Sequence, residues 1–397
     1  MIAPSSHVIT IIHFSGSGNT KFVASLLAER IRSFGFSDTE CLDGFSLVKA
    51  LDLGSKPSKI GDSFEINQSN DLLQKFRERI SRSTVIGVGA YAYGFVPAPG
   101  FVQFFSETVL PSDLFASMQF YFGFGTANRQ SDTFGMVNCS PLPKKNSKAR
   151  FVGHFSCRTP NSAATFMPEK PYLDSCVSSE IQKIIDFSDS LIKTLRTDDL
   201  SNLSLPSFEP KDYTQSPNVD SMKRMVKLFT LDTSKCIKCG KCATTCPYSA
   251  ITMSSKEGGK VKIDDVEDGF PHRDPDRCIL CGRCYNICPK EAIGLKYCHT
   301  DLRSRMSTIL IAPDAAELWK RSLGSASLAS TSASSSAPGE QQSIVTKASV
   351  APKGVIMRTS PPSLLATANN ALIGVRLYLV LILLIIFILV RLAFRKK

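Results

Sequence analysis

The sequence predicts an α/β domain built on a doubly wound parallel sheet, then a small α+β domain rich in cysteine, then a C-terminal transmembrane helix. Three observations carry that expectation. Apolar strand-like runs alternate with helical patterns over residues 8–196, eight of the 13 cysteines fall in two matched runs between Cys236 and Cys288, and an uncharged apolar stretch lies near the C-terminus. A chain of 397 residues exceeds what one small core can organise, so several domains are expected.

The α/β part reads element by element. VITIIHF from Val8 is a strand, Lys21 to Phe34 a helix, TVIGVGAYAY a strand, MQFYFGF and RFVGHFS two more, and Ser179 to Leu195 a closing helix. Alternation of this kind indicates parallel pairing, because a parallel neighbour needs a long crossover connection. The expected boundaries are 1–200 for this domain, 201–229 for a linker rich in Pro, Ser and Asp, and 230–300 for the cysteine-rich domain. A low-complexity tether is expected over 301–363, with SASLASTSASSSAPGEQQ disordered inside it, and the membrane helix over 371–392.

At 43% hydrophobic and 21% charged, with a mean hydropathy of +0.00, the chain is neither wholly disordered nor polytopic in a membrane. Its formal net charge of +12 is unevenly spread: residues 1–220 hold 21 basic and 22 acidic side chains, 221–300 hold 14 and 9, and 301–397 hold 12 and 4. The C-terminal half is therefore expected to meet a membrane surface or an acidic protein partner, not nucleic acid. From Leu377 to Val390 the chain reads LYLVLILLIIFILV, and with its flanks it supplies about 33 Å of helix, enough to span a bilayer. Arg376 and Arg391 are placed to snorkel at its two ends. The expected arrangement is a single-pass tail anchor with the head in the cytosol, in the outer membrane of a mitochondrion or related organelle in preference to the endoplasmic reticulum. Met1 to His7 is short and polar ahead of the first strand, so no signal or transit peptide is expected.

The cysteine runs carry the clearest chemistry. CIKCGKCATTCPYSAI from Cys236 and CILCGRCYNICPKEAI from Cys278 agree at every Cys, at the Gly, at the Pro after the last Cys and at the closing Ala-Ile, each reading C-x2-C-x2-C-x3-C-P. Disulfides at such short intervals would be strained. Thiolates at this spacing suit one corner of a cubane iron-sulfur cluster, whose fourth ligand arrives from elsewhere, whereas zinc takes its ligands as two separated pairs. The pattern resembles the bacterial-type ferredoxins with two 4Fe-4S clusters, over Thr233 to Tyr297. That resemblance implies that the fourth Cys of each run serves the other cluster. Cluster one then takes Cys236, Cys239, Cys242 and Cys288, and cluster two takes Cys278, Cys281, Cys284 and Cys246. Cys298 has no vacancy to fill, and ITMSSKEGGKVKID reads as a hairpin around Gly258 and Gly259. Lys235, Lys238, Lys241, Arg277, Arg283 and Lys290 surround the motifs, a basic setting that suits an acidic redox protein as donor or acceptor.

The other chemical feature follows the first strand. VITIIHF runs into Ser15, Gly16, Ser17, Gly18, Asn19 and Thr20, and then into the helix KFVASLLAERI. Small and hydroxylated residues at a strand-to-helix turn leave backbone N–H groups for a phosphate at the positive end of the helix dipole. The P-loop lysine and the third glycine of the dinucleotide fingerprint are both missing. The loop resembles the flavodoxin pattern [ST]-x-[ST]-G-x-T, filled by Ser15, Ser17, Gly18 and Thr20, and the resemblance extends over residues 7–196. It implies an FMN held by its phosphate, with Tyr91, Tyr93, Gly94 and Phe95 on the aromatic loop at the isoalloxazine. Gly123 and Gly125, in FGFGTANRQSD, fall at the second flavin loop.

A flavodoxin-like domain followed by two cluster motifs resembles the flavodoxin-ferredoxin fusions of anaerobes, to which a membrane anchor is an addition. A flavin exchanges two electrons and each cluster one, so the fusion splits or collects electrons. The expected function is a membrane-anchored electron-transfer flavoprotein passing electrons between two 4Fe-4S clusters and FMN. Two alternatives are an FMN-dependent reductase of a small substrate, and a tethered ferredoxin whose flavodoxin domain is empty and serves for docking.

Overall fold

In the computed structural model the described residues are 6–51, 71–91, 101–106, 109–127, 138–159, 176–197, 229–254, 269–279, 281–295 and 311–332. Tyr93, Gly94, Phe95, Cys298, the glycines at 258 and 259 and the apolar segment 371–392 lie outside them. Among the described residues no helix is long and apolar enough to cross a membrane.

Strand β1 (Ile9–Phe14) is buried along its whole length and runs into helix α1 (Asn19–Ser33). After it come β2 (Thr39–Asp43), α2 (Gly44–Ala50), α3 (Asp71–Arg82), β3 (Val85–Tyr91), β4 (Phe120–Ala127), β5 (Arg150–Arg158) and α4 (Ser178–Thr197). The five strands pair parallel in the order β2-β1-β3-β4-β5. That is the flavodoxin-type order, in which the chain reverses direction across the sheet between β1 and β3 and leaves a crevice at the carboxyl ends of those strands. Alternation along each strand supplies two cores. Ile12, Phe14, Ile86 and Val88 face α2 and α3, and Ile9, Ile11, Phe122 and Phe124 face α1 and α4. The glycines of VIGVGAY have a packing reason, since a Cβ on Gly87 or Gly89 would stand about 2 Å from the rings of Phe122 and Phe124 on the neighbouring strand. Arg79 of α3 is buried and donates to the Thr10 hydroxyl and the Ile9 and Asp38 carbonyls, tying that helix to the sheet edge.

The stretch expected as a tether is in part structured. Pro313–Ser332 forms a helix that lies over α1 and α4. Ala315, Leu318, Trp319, Ser322 and Leu323 recur at helical spacing and meet the same core, so a composition rich in Ala and Ser conceals an amphipathic face. Trp319, the chain's one tryptophan, is buried with its indole N–H on Glu29, and Arg30 donates to the Ser322 carbonyl at 2.8 Å. Trp319→Ala should cost about 3–5 kcal/mol of domain stability, read as a lowered thermal midpoint, and a chain ending at residue 310 should lose at least as much. An unchanged midpoint in both would remove this helix from the folded unit.

In the cysteine-rich region β6 (Phe229–Leu231) and β9 (Ile293–Leu295) form one antiparallel pair, and β7 (Ile251–Met253) and β8 (Pro271–Arg273) the other. Single-turn helices α5 (Lys241–Thr245) and α6 (Arg283–Ile287) carry the third Cys of each motif and end at the fourth. The hairpin expected within 251–264 is wider than the sequence suggested, because β7 takes its partner from 271–273.

Candidate metal centres and cofactor loop

The two cysteine units are the same structure twice. A shift of 42 residues, from Cys236 to Cys278, carries β6 onto β8, α5 onto α6 and β7 onto β9. It also carries the Asp232 amide bond to the Ala292 carbonyl onto that from Asp274 to Ala250, both 2.8 Å. Gly240 and Gly282 stand at φ 68° and 73° ahead of the short helices, a left-handed conformation that only glycine adopts cheaply. The fourth cysteines are matched as well. Ala250 N donates to Cys246 Sγ at 3.3 Å and Ala292 N to Cys288 Sγ at 3.2 Å, bonds that favour the anionic sulfur of a ligand.

This pseudo-two-fold builds two cavities. One is lined by Cys236, Cys239, Cys242 and Cys288. The other is lined by Cys278, Cys281, Cys284 and Cys246. Each motif thus lends its fourth thiol to the other cavity, the grouping that the ferredoxin resemblance implies. Among the described residues no three His, Cys, Asp or Glu side chains converge as the ligands of one metal ion would. The four thiols that line each cavity are the soft donor set a 4Fe-4S cluster takes. Burial pushes the Cys242 thiol up to about 11 and raises Cys281 and Cys284 as well, with the Arg273 guanidinium opposing it at Cys284. Iron binding must therefore displace protons from these sulfurs. Arg273 Nη2 lies 3.3 Å from Cys284 Sγ, whereas the position related to it by the repeat is Leu231.

The loop after β1 fits a phosphate. Gly18 has φ +100° and heads α1 with no side-chain cap, nothing would meet a Cβ there within 4 Å, and Ser15 Oγ accepts from Gly18 N at 3.1 Å to hold the turn. Asn19 and Thr20 are buried, Ser17 is half-buried, and the Thr20 hydroxyl bonds Thr126 on β4 at 2.8 Å. Tyr91 closes β3 and packs at 6.3 Å from Phe45, within the apolar cluster of the α2 face. Gly123 and Gly125 are ladder positions inside β4, opposite Val88 and Ala90 on one side and His154 and Ser156 on the other. Both are strand residues, and residues 128–137 that follow lie outside the described ones.

Sequence reasoning missed how the two chemistries meet. A Cβ on Gly16 would stand 1.8 Å from the Cys281 carbonyl oxygen, so the phosphate-type loop lies directly against the rim of the second cavity. Tyr248 and Ile279, 7% and 8% exposed, are buried in the apolar cluster of the sheet domain, with Cys278 and Cys281 packed against it. Arg283 forms an ion pair with Asp43 at the end of β2, and Lys49 Nζ donates to the Ala243 carbonyl at 3.3 Å. Burial would raise the Asp43 carboxyl, but Arg283, Ser46 and His13 together hold it below the usual range. His13 beside it is lowered to about 4, chiefly by burial, and is neutral at pH 7. Arg283, expected among the basic residues awaiting a partner, is thus spent within the chain. Asp43 and Arg283 are 240 residues apart, and no local pattern could have paired them.

Residues 235–292 match the family described as 4Fe-4S dicluster domain. No curated protein matches the sequence. Similar solved structures include a flavodoxin from the domain Archaea, at 12% identity and TM-score 0.29, covering 47% of this chain and 98% of that one. An NADH:FMN oxidoreductase in its apo form has 18% identity and TM-score 0.31, covering 50% and 91%. General stress protein 14 of Treponema denticola, in complex with FMN, has 12% identity and TM-score 0.26, covering 46% and 98%. The parallel order β2-β1-β3-β4-β5 makes the sheet domain flavodoxin-like. The chain joins a flavodoxin-like sheet domain to a region of 4Fe-4S dicluster type, and that pairing supports a role in electron transfer.

Proposed function

We propose that the chain is a membrane-anchored electron-transfer flavoprotein. FMN is held through its phosphate by Ser15 to Thr20. Two 4Fe-4S clusters are ligated by Cys236, Cys239, Cys242 and Cys288, and by Cys278, Cys281, Cys284 and Cys246. When bound, the flavin supplies two-electron exchange and each cluster one-electron exchange. The observation that carries this reading is the contact of Gly16 with Cys281, which places the phosphate-type loop and the second thiol quartet side by side. The chain's own groups provide for the rest. The uncapped end of α1 and the Gly18 turn receive the phosphate, and the Asp43–Arg283 pair with buried Tyr248 and Ile279 keeps the cysteine domain seated. Residues 371–392 anchor the head on the cytosolic face of a mitochondrial-type outer membrane, a reading supported by the sequence of that segment.

Anaerobic purification of the full chain in detergent, followed by optical and EPR redox titration, tests the reading. The expected result is one FMN and roughly eight irons per chain, titrating as a flavin and two clusters. Protein that binds neither flavin nor iron after reconstitution would overturn it. FAD in place of FMN would overturn the phosphate assignment alone.

A further inference from the structure

We propose that the face around the first cavity is a docking site for an external acidic redox protein, using the geometry by which the second cavity docks on the chain's own sheet domain. The inference rests on the electron-transfer reading above and adds to it where the partner sits. Its ground is a symmetry broken in one respect. The lining residues of the second cavity and their repeat counterparts in the first take up equivalent positions, yet one set is covered and the other open.

Ile279 is 8% exposed against the sheet domain, while Ile237, its counterpart, is 56% exposed. Pro247 and Tyr248 are buried, and their counterparts Pro289 and Lys290 are exposed. Cys281 is packed against Gly16, and its counterpart Cys239 is exposed. Arg283 is paired with Asp43, and its counterpart Lys241 is exposed. An apolar residue, a cluster ligand and a cation therefore stand together in solvent, in the arrangement that elsewhere in the same chain holds a redox domain.

The charge selects the occupant. With Lys241 and Lys290 in place of Arg283 and Tyr248, the open face is the more cationic of the two, while Lys235 at its edge is 61% exposed and paired with Asp232 at 3.3 Å. It calls for a partner that offers a carboxylate beside an apolar rim around its redox group, the role that Asp43 and its surroundings play within the chain. A second copy of the chain is a poorer fit, because its Asp43 is already held by its own Arg283. The covered cavity then faces the flavin side and the open one the partner. This orders the relay as partner, first cluster, second cluster, phosphate-type loop.

The test is binding rather than turnover. Full-length protein carrying iron and flavin is titrated by calorimetry with an oxidised small acidic two-cluster ferredoxin at two salt concentrations. Lys241→Glu and Ile237→Asp should each weaken binding about tenfold with iron content unchanged, and Lys75→Glu on α3 should not. Zero-length carbodiimide coupling should join Lys241 or Lys290 to a ferredoxin carboxylate. Equal affinity in all variants, cross-links confined to other surfaces, or Ile237→Asp acting only by dissolving a dimer of the chain would each overturn the proposal. If the protein holds clusters and flavin but the variants bind normally, the docking face falls and the electron-transfer reading stands. A protein without iron fails both.

Discussion

Cys288→Ser is expected to abolish the cluster of the first motif and to spare that of its own motif, with Cys246→Ser doing the reverse. The reason is the exchange of fourth ligands. Cys288 lines the cavity of Cys236, Cys239 and Cys242, and Cys246 lines that of Cys278, Cys281 and Cys284. Each single variant should retain about half the iron, roughly four of eight atoms per chain, and the double variant should retain almost none. A serine oxygen is a poor substitute for the soft sulfur that iron-sulfur clusters require. The two single variants are separable by EPR, because Arg273 beside Cys284 has no counterpart at the first cavity, where Leu231 stands. A hydrogen bond from a cation to a ligand sulfur favours the reduced, more negative cluster, so the cluster surviving in Cys288→Ser should have the higher potential. Cys41→Ser, on β2 with its thiol donating to the Ala24 carbonyl and in the lining of neither cavity, should keep all its iron. Full iron in the double variant, or loss of the second motif's cluster from Cys288→Ser, would contradict the ligand exchange.

Much of this architecture is legible in the sequence because it rests on local pattern. The strands that the alternation predicts occur as β1, β3, β4 and β5, each within a few residues of the expected run. The exception is β2. TECLD alternates weakly, is half-exposed and forms the sheet edge, so nothing in its composition marks it apart from a loop. The cysteine motifs are legible because their spacing answers to the cluster and not to the rest of the chain. The helix at 313–332 was hidden for the opposite reason. Its small residues read as low complexity, and only contact with α1 and α4 shows which of them form a face.

What no pattern reveals is the difference between two matching halves. Ile237 and Ile279 occupy the same place in the repeat, and only the seating of the second unit on the sheet domain buries one and leaves the other in solvent. The same holds for Gly123 and Gly125. Sequence placed them at the end of the fourth strand, and only the ladder shows which residues of β3 and β5 flank them.

Gly16→Ala should uncouple the sheet domain from the second cluster. The added Cβ would stand 1.8 Å from the Cys281 carbonyl oxygen and 2.7 Å from its carbon, and since both are backbone atoms no rotamer change relieves the overlap. Either the loop or the cysteine motif must move. Overpacking of this kind costs about 1–3 kcal/mol, which shifts the ratio of seated to unseated forms by about 5- to 150-fold. Electron tunnelling falls steeply with distance, so in the variant molecules that hold both flavin and iron, flash reduction of the clusters should be followed by a slowed reduction of flavin. Gly18→Ala separates this effect from damage to the phosphate loop. It has open space around it but sits at φ +100°, so its cost is backbone strain in the turn, and it should loosen flavin without unseating the cysteine domain. Flavin reduction in Gly16→Ala at the rate of the unsubstituted protein would mean that electrons do not pass at the Cys281 contact.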